Sequence, residues 1–297
     1  TRVPPTGQQK AAPRTSSDFR MGAVCAKPSP LRSGPTVKED AKPLITDAET
    51  SEGLKKGVNG WPPVTEFGWY ASHSAIRKDL TDVKAVLDRM IAAPAVEEWE
   101  YEHLKAFWKI VTEYIHGHHD IEEQIVFPFL QEKLTLPQRL TTDHKTLMEY
   151  MAEATAKVDE AADQAGLKVA RTAINKLDGH MRPHLLEEEE DVVPLLYKYY
   201  TADEFKPVTN QIIAHQAWWE LGHYLRPYGP GANNPEKTNH VLNGLQVPYL
   251  VWLLILKPRL AWYERYYGYL IEELMDPELK KARESTLQYR VLHCACF

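Results

Sequence analysis

A pair of matching words sets the strongest limit on what this chain can fold into. His118-x-x-x-Glu122 and His184-x-x-x-Glu188 each put a histidine and a carboxylate four residues apart, with a proline, Pro128 or Pro194, ten past the histidine. Residues four apart on an α-helix lie one above the other on the same face. Each word therefore offers one nitrogen and one oxygen to a common point, and two such helices can enclose a metal ion. Single histidines, His73 and His144, stand upstream of each word, so the order His, His-x-x-x-Glu is written twice.

The apolar residues over 65–200 follow a helical period that carries these histidines and carboxylates inward. In a first helix Trp69, His73, Ile76, Leu80, Val83, Leu87 and Met90 repeat at alternating four and three. A second, over 96–133, lines up Leu104, Phe107, Val111, Ile115, His118, Glu122, Ile125 and Phe129. A third, over 137–162, opens at Pro137 and lines up Leu140, His144, Leu147, Met151 and Val158; a fourth, over 167–200, lines up Ile174, Leu177, Met181, His184, Glu188, Val192 and Leu195. Four helices with short joints predict an antiparallel up-down bundle.

A buried carboxylate is costly unless it is paired or bound to a metal. Here two would lie in a core beside four imidazoles, and a cation answers both. The mixed nitrogen and oxygen donors suit iron, and the lack of sulfur donors argues against structural zinc. The register is open at one place: His119 and Glu123 form a second pair four apart, with His116 nearby, and the apolar stripe and the proline offset favour His118 and Glu122. His180 and Glu189, flanking the second word, are expected to orient the ligands from behind.

The segments HGHHDIEEQIVFPFL at 116–130 and HLLEEEEDVVPLL at 184–196 resemble the hemerythrin-like (HHE cation-binding) family, with the likeness covering 65–200. That resemblance implies an all-α fold, a hemerythrin-like four-helix bundle. It also implies a non-haem centre of two iron ions per chain, oxo- or hydroxo-bridged, with His73, His118, Glu122, His144, His184 and Glu188 as ligands. The oxygen-carrying hemerythrins put two histidines a turn apart on the third helix, and here Met148 stands four residues after His144. One ligand is thus missing or supplied from elsewhere, which leaves room for water, peroxide or a substrate.

Three functions follow as expectations: reversible binding of iron or dioxygen for storage, transport or sensing; a di-iron oxidase, peroxidase or monooxygenase acting on a small molecule; and a metal-free helical scaffold. The net charge of −6 and the acidic run Glu187–Asp191 give nucleic acid no basic face to bind. The three cysteines, Cys25, Cys294 and Cys296, form no disulfide framework and suit a reducing, cytoplasmic setting. The longest apolar run, Val247 to Leu256, is interrupted by Pro248 and is too short to span a bilayer, and no secretory signal peptide is visible.

Residues 1–60, rich in Pro, Ser, Thr, Gly and Lys, read as a disordered arm. Within it Met21-Gly22-Ala23-Val24-Cys25 would fit a natural start, with Gly22 and Cys25 open to acylation although Ala26 stands where Ser or Thr is wanted; Cys294-Ala295-Cys296-Phe297 fits a prenylation signal loosely. Membrane attachment is expected only through such lipids. The bundle is expected over 61–200 and a helical extension packing on it over 201–297. His215 and His223 in that extension, beside Trp218 and Trp219, are expected to pack in the core and not to form a second site. The oligomeric state is not written in the sequence.

Overall fold

The computed structural model describes residues 34–285 apart from Ala232 and Gln246, and the two candidate lipidation signals lie outside the described residues. The four expected helices form: α1 is a short preceding helix, Asp47–Lys56, and the bundle consists of α2 (Gly68–Ala92), α3 (Glu98–Ile121), α4 (Gln138–Glu160) and α5 (Gln164–Glu187). Each packs on its neighbours in the order α2, α3, α4, α5 and back to α2, closing an antiparallel ring. The predicted stripe of α2, from Trp69 through His73 to Met90, is buried throughout, as is that of α4 from Leu140 through His144 to Val158.

In α3 and α5 the stripe holds as far as the carboxylate and then slips by one residue. Ile125, Phe129 and Leu195 are only half-buried, while Val126, Leu130 and Leu196 are buried in their place. The cause is a π turn at each carboxylate, Glu122–Val126 and Glu188–Val192. Phe127 N–H donates to Glu122 C=O, and Val193 N–H to Glu188 C=O, across five residues instead of four. A proline follows at once in both helices. Its ring would clash with the carbonyl four residues back in a regular helix, and the wider turn moves that carbonyl away. The chain then continues as Phe127–Leu130 in one case and Val193–Tyr199 in the other.

The expected arm differs from the structure over its second half. From Gly34 onward the chain is folded: Thr36–Val37 pairs antiparallel with Leu134–Thr135, and α1 starts on a reciprocal capping box between Thr46 and Glu49. Trp61 is buried, stacks on Tyr197 at 5.1 Å and donates its indole N–H to Tyr200 C=O at 2.8 Å. By itself the segment has too little apolar surface to offset the entropy of ordering. It folds by burying its few apolar groups against the ends of α3 and α5.

After Tyr199 the chain is again helical and packs on the bundle. Tyr269–Met275 lies against α3 and α2, and Tyr224, Leu225, Val241, Leu260, Leu270 and Leu274 join the same core as the helices α2 to α5. His223 is fully buried, as expected, whereas His215, at the last turn of the helix Ala202–His215, is exposed and does not join the core. No described helix is long and apolar enough to cross a membrane.

Candidate metal centre

The structure brings all six of the predicted residues together and adds a seventh, His119. His73 from α2, His118 from α3, Glu122 and Glu188 form one group whose donor atoms lie within 4.8 Å of one another; His119, His144 and His184 form a second on the same criterion. All seven are buried. His118 and His119 were alternatives in the sequence, but both are buried and each joins a different group; neighbouring residues on a helix differ by about 100° in direction, so each can face its own group. His119 joins His144 in the second group, the two ring centroids 4.3 Å apart, while Met148 is half-buried against the core.

The two carboxylates lie between the groups. Glu122 Oε1 is 3.1 Å from His118 Nε2 and 3.7 Å from His73 Nε2, whereas its Oε2 is 3.6 Å from His144 Nε2. Glu188 repeats the pattern in mirror: Oε2 is 3.3 Å from His73 Nε2, and Oε1 is 3.6 Å from His144 Nε2 and 3.5 Å from His184 Nε2. Ligand atoms bound to one cation at about 2.0–2.2 Å stand about 3–4 Å apart, which these separations match. The inward Nε2 atoms of His73, His118, His119, His144 and His184, with Glu122 Oε2 and both oxygens of Glu188, are buried and make no hydrogen bond. Nature rarely leaves so many buried polar atoms without partners. The residues fit a metal centre.

Groups behind the ligands fix which nitrogen faces in. His73 Nδ1 pairs with Glu189 Oε1 at 2.9 Å, and Arg77 clamps both oxygens of Glu189 at 2.7 and 2.8 Å. His144 Nδ1 pairs with Glu123 Oε1 at 2.9 Å, and His118 Nδ1 with Ser72 Oγ at 3.1 Å. Glu189 thus does what was expected of it; Glu123, read in the sequence as part of an alternative ligand pair, is in neither group and instead orients His144 from behind. His180 does not: it is exposed and bonds Lys176 C=O. Trp69, read as a core residue, also donates its indole N–H to Glu122 Oε1 at 2.6 Å. Phe127 stacks on His144 at 5.6 Å and shields it.

Burial opposes charge on His73 and His144, but the carboxylates around them win and lift the two imidazoles to about 10 and about 9. Burial pushes His184 down, and burial with the neighbouring histidines holds His119 well below its ordinary value. Burial also works against the carboxylate charges, yet the histidines keep Glu122 well below the usual range and Glu188 at about 2. Without metal, two imidazolium ions thus balance two carboxylates. His119 and His144 also line a cleft of about 580 Å³ at the surface, with His116, Asp120, Glu123, Thr142, Lys145 and Met148 on its walls.

These groups could hold metal ions, and the wider comparisons agree with the geometry. Residues 68–198 match the family model of the Hemerythrin HHE cation binding domain. Comparison with curated proteins and with solved structures gave no match.

Proposed function

We propose that residues 68–198, which match the Hemerythrin HHE cation binding domain, hold two iron ions through which the protein binds or reacts with dioxygen or peroxide. One observation carries the reading: each of Glu122 and Glu188 turns one oxygen to each histidine group, the arrangement of a carboxylate shared by two cations. His73 and His118 would serve one ion, and His119, His144 and His184 the other. Imidazole and carboxylate donors suit iron, and no cysteine lies among the described residues. Bound iron would supply reversible one-electron chemistry and a coordination position for a small oxygen species. The protein's own part is to orient the imidazoles through Glu189, Glu123 and Ser72, to hold Glu122 through Trp69, and to keep bulk water out with Phe127.

A second reading, an oxidase or peroxidase acting on a small molecule, is favoured by the cleft beside His119 and His144, which brings solutes up to the second histidine group. Metal content and visible spectra of protein grown with added iron, taken before and after dithionite and then air, test both. About two irons per chain with charge-transfer bands support the centre. A spectrum that returns on each cycle of air and deoxygenation marks a carrier or sensor; bleaching with turnover of hydrogen peroxide marks the enzyme. Protein without stoichiometric iron, and unchanged in stability by His118→Ala with His184→Ala, would leave a helical scaffold.

A further inference from the structure

The apolar run near residue 250 is only half used by the fold. Trp252, Leu260 and Tyr263 are buried and fasten the segment to the rest of the molecule. On its other side Tyr249 is 63% exposed, Leu250 63%, Leu253 40%, Leu254 64% and Ile255 48%. A π turn over Trp252–Leu256 helps to bring this about, because its wider coil spreads fewer degrees over each residue and lets three consecutive side chains face outward. So many adjoining large apolar side chains in water mark an interaction surface.

The charges around it say what kind of surface it meets. No acidic residue occurs between Glu236 and Glu264, although the whole chain carries a net charge of −6. The charged residues that follow the apolar run are Lys257 and Arg259; Arg259 is exposed and stands one helical turn beyond Ile255, on the same side. Tyr249 at one end, and Trp262 against the exposed Trp218 at 3.9 Å near the other, are amphipathic rings of the sort that settle at the level of lipid headgroups. A second copy fits less well, since a two-fold contact would lay one basic rim against the other. We propose that the segment from Tyr249 to Arg259 docks on a lipid bilayer bearing anionic headgroups. Leu250, Leu253, Leu254 and Ile255 enter the acyl boundary, and Lys257 and Arg259 meet the headgroups. The segment lies in the interface and does not cross it, in keeping with the lack of a spanning helix among the described residues. The docking needs no lipid attached to the protein.

Flotation of the full chain with vesicles of phosphatidylcholine, alone or with phosphatidylserine added, tests the proposal. Retention on the phosphatidylserine vesicles that weakens with salt is the expected result. Leu250→Glu with Leu254→Glu should cut the bound fraction at least about tenfold, and Arg259→Glu should remove most of the preference for phosphatidylserine. Both variants should keep the wild-type circular dichroism and thermal transition, because the altered side chains face solvent. Absence of flotation on either vesicle, or flotation that the leucine pair leaves unchanged, would overturn the proposal. So would a dimer in light scattering that the leucine pair dissociates, with no vesicle binding, since a second copy would then be the occupant.

Discussion

At the scale of single residues the centre is decided by His119 and by two protons. His119 has both ring nitrogens buried and without a hydrogen bond, and its charge is suppressed by burial and by His144, His118 and His184, so it is a neutral donor with no other use. For the two-iron centre proposed, His119→Ala is expected to lower iron content from about two ions per chain to about one, measured by metal analysis, while the exposed His116→Ala leaves it unchanged. The protons belong to His73 and His144. Because their pKa values are raised on folding, the stability they give the metal-free protein is complete below pH ~6.5 and is lost as the pH climbs through about 9 and about 10. Above that, Glu122 and Glu188 are left buried without countercharges. A cation replaces both protons, so loading at pH 7 should release about two protons per chain. An indicator dye during metal titration reads the release, and thermal unfolding from pH 6 to 10 should show metal-free protein losing stability at the alkaline end more steeply than loaded protein. Loading without proton release would contradict the charge balance.

At the scale of helices, the sequence was legible wherever a side chain's direction follows from a period of 3.6. That period predicted the inward stripes of α2 and α4 and the meeting of His73, His118, Glu122, His144, His184 and Glu188. It failed beyond Glu122 and Glu188, because a π turn shifts the phase by one residue, and the sign of that turn was the proline six residues past each carboxylate. It also forced a choice between His118 and His119 that the width of the centre does not require. Over 34–60 composition misled, since the pairing of Thr36–Val37 with Leu134–Thr135 and the hydrogen bond from Leu44 N–H to Lys198 C=O depend on partners far along the chain. Contacts between helices were equally hidden, and Glu189 is the example with most consequence. It lies on the turn after α5 and reaches His73 and Arg77 of α2. Glu189→Gln keeps the size and weakens both partners, so metal affinity should fall about 10- to 100-fold, as read by competition with a chelator, with the fold retained.

At the scale of the whole molecule the metal-bearing helices and the C-terminal segments share one buried polar cluster. Asp79 lies two turns along α2 from His73; its Oδ2 is 2.5 Å from His223 Nε2, its other oxygen takes Arg226, and Tyr263 OH meets His223 Nδ1 at 2.7 Å. Arg226 also pairs with Asp82 at 2.5 Å and lies 5.0 Å over the ring of Phe107 from α3. All four groups of the first network are almost wholly buried, and His223 is held neutral by burial at about 3, so the arginine is the cation that answers Asp79. A buried ion pair adds little net stability when intact, yet losing one partner leaves an uncompensated charge. Arg226→Met should therefore cost about 3–5 kcal/mol in chemical denaturation, well above what the same substitution at exposed Arg259 would cost. Pairing it with Asp79→Asn should recover a good part of that loss, because the stranded charge goes with it. The destabilised single variant should also hold iron less well, since α2 carries both His73 and Asp79, and the double variant should regain metal along with stability. If Arg226→Met cost under about 1 kcal/mol, the range of a surface pair, the extension would be held on the bundle by its apolar contacts and by pairs such as His103 with Glu273, and the metal site would be indifferent to Arg226.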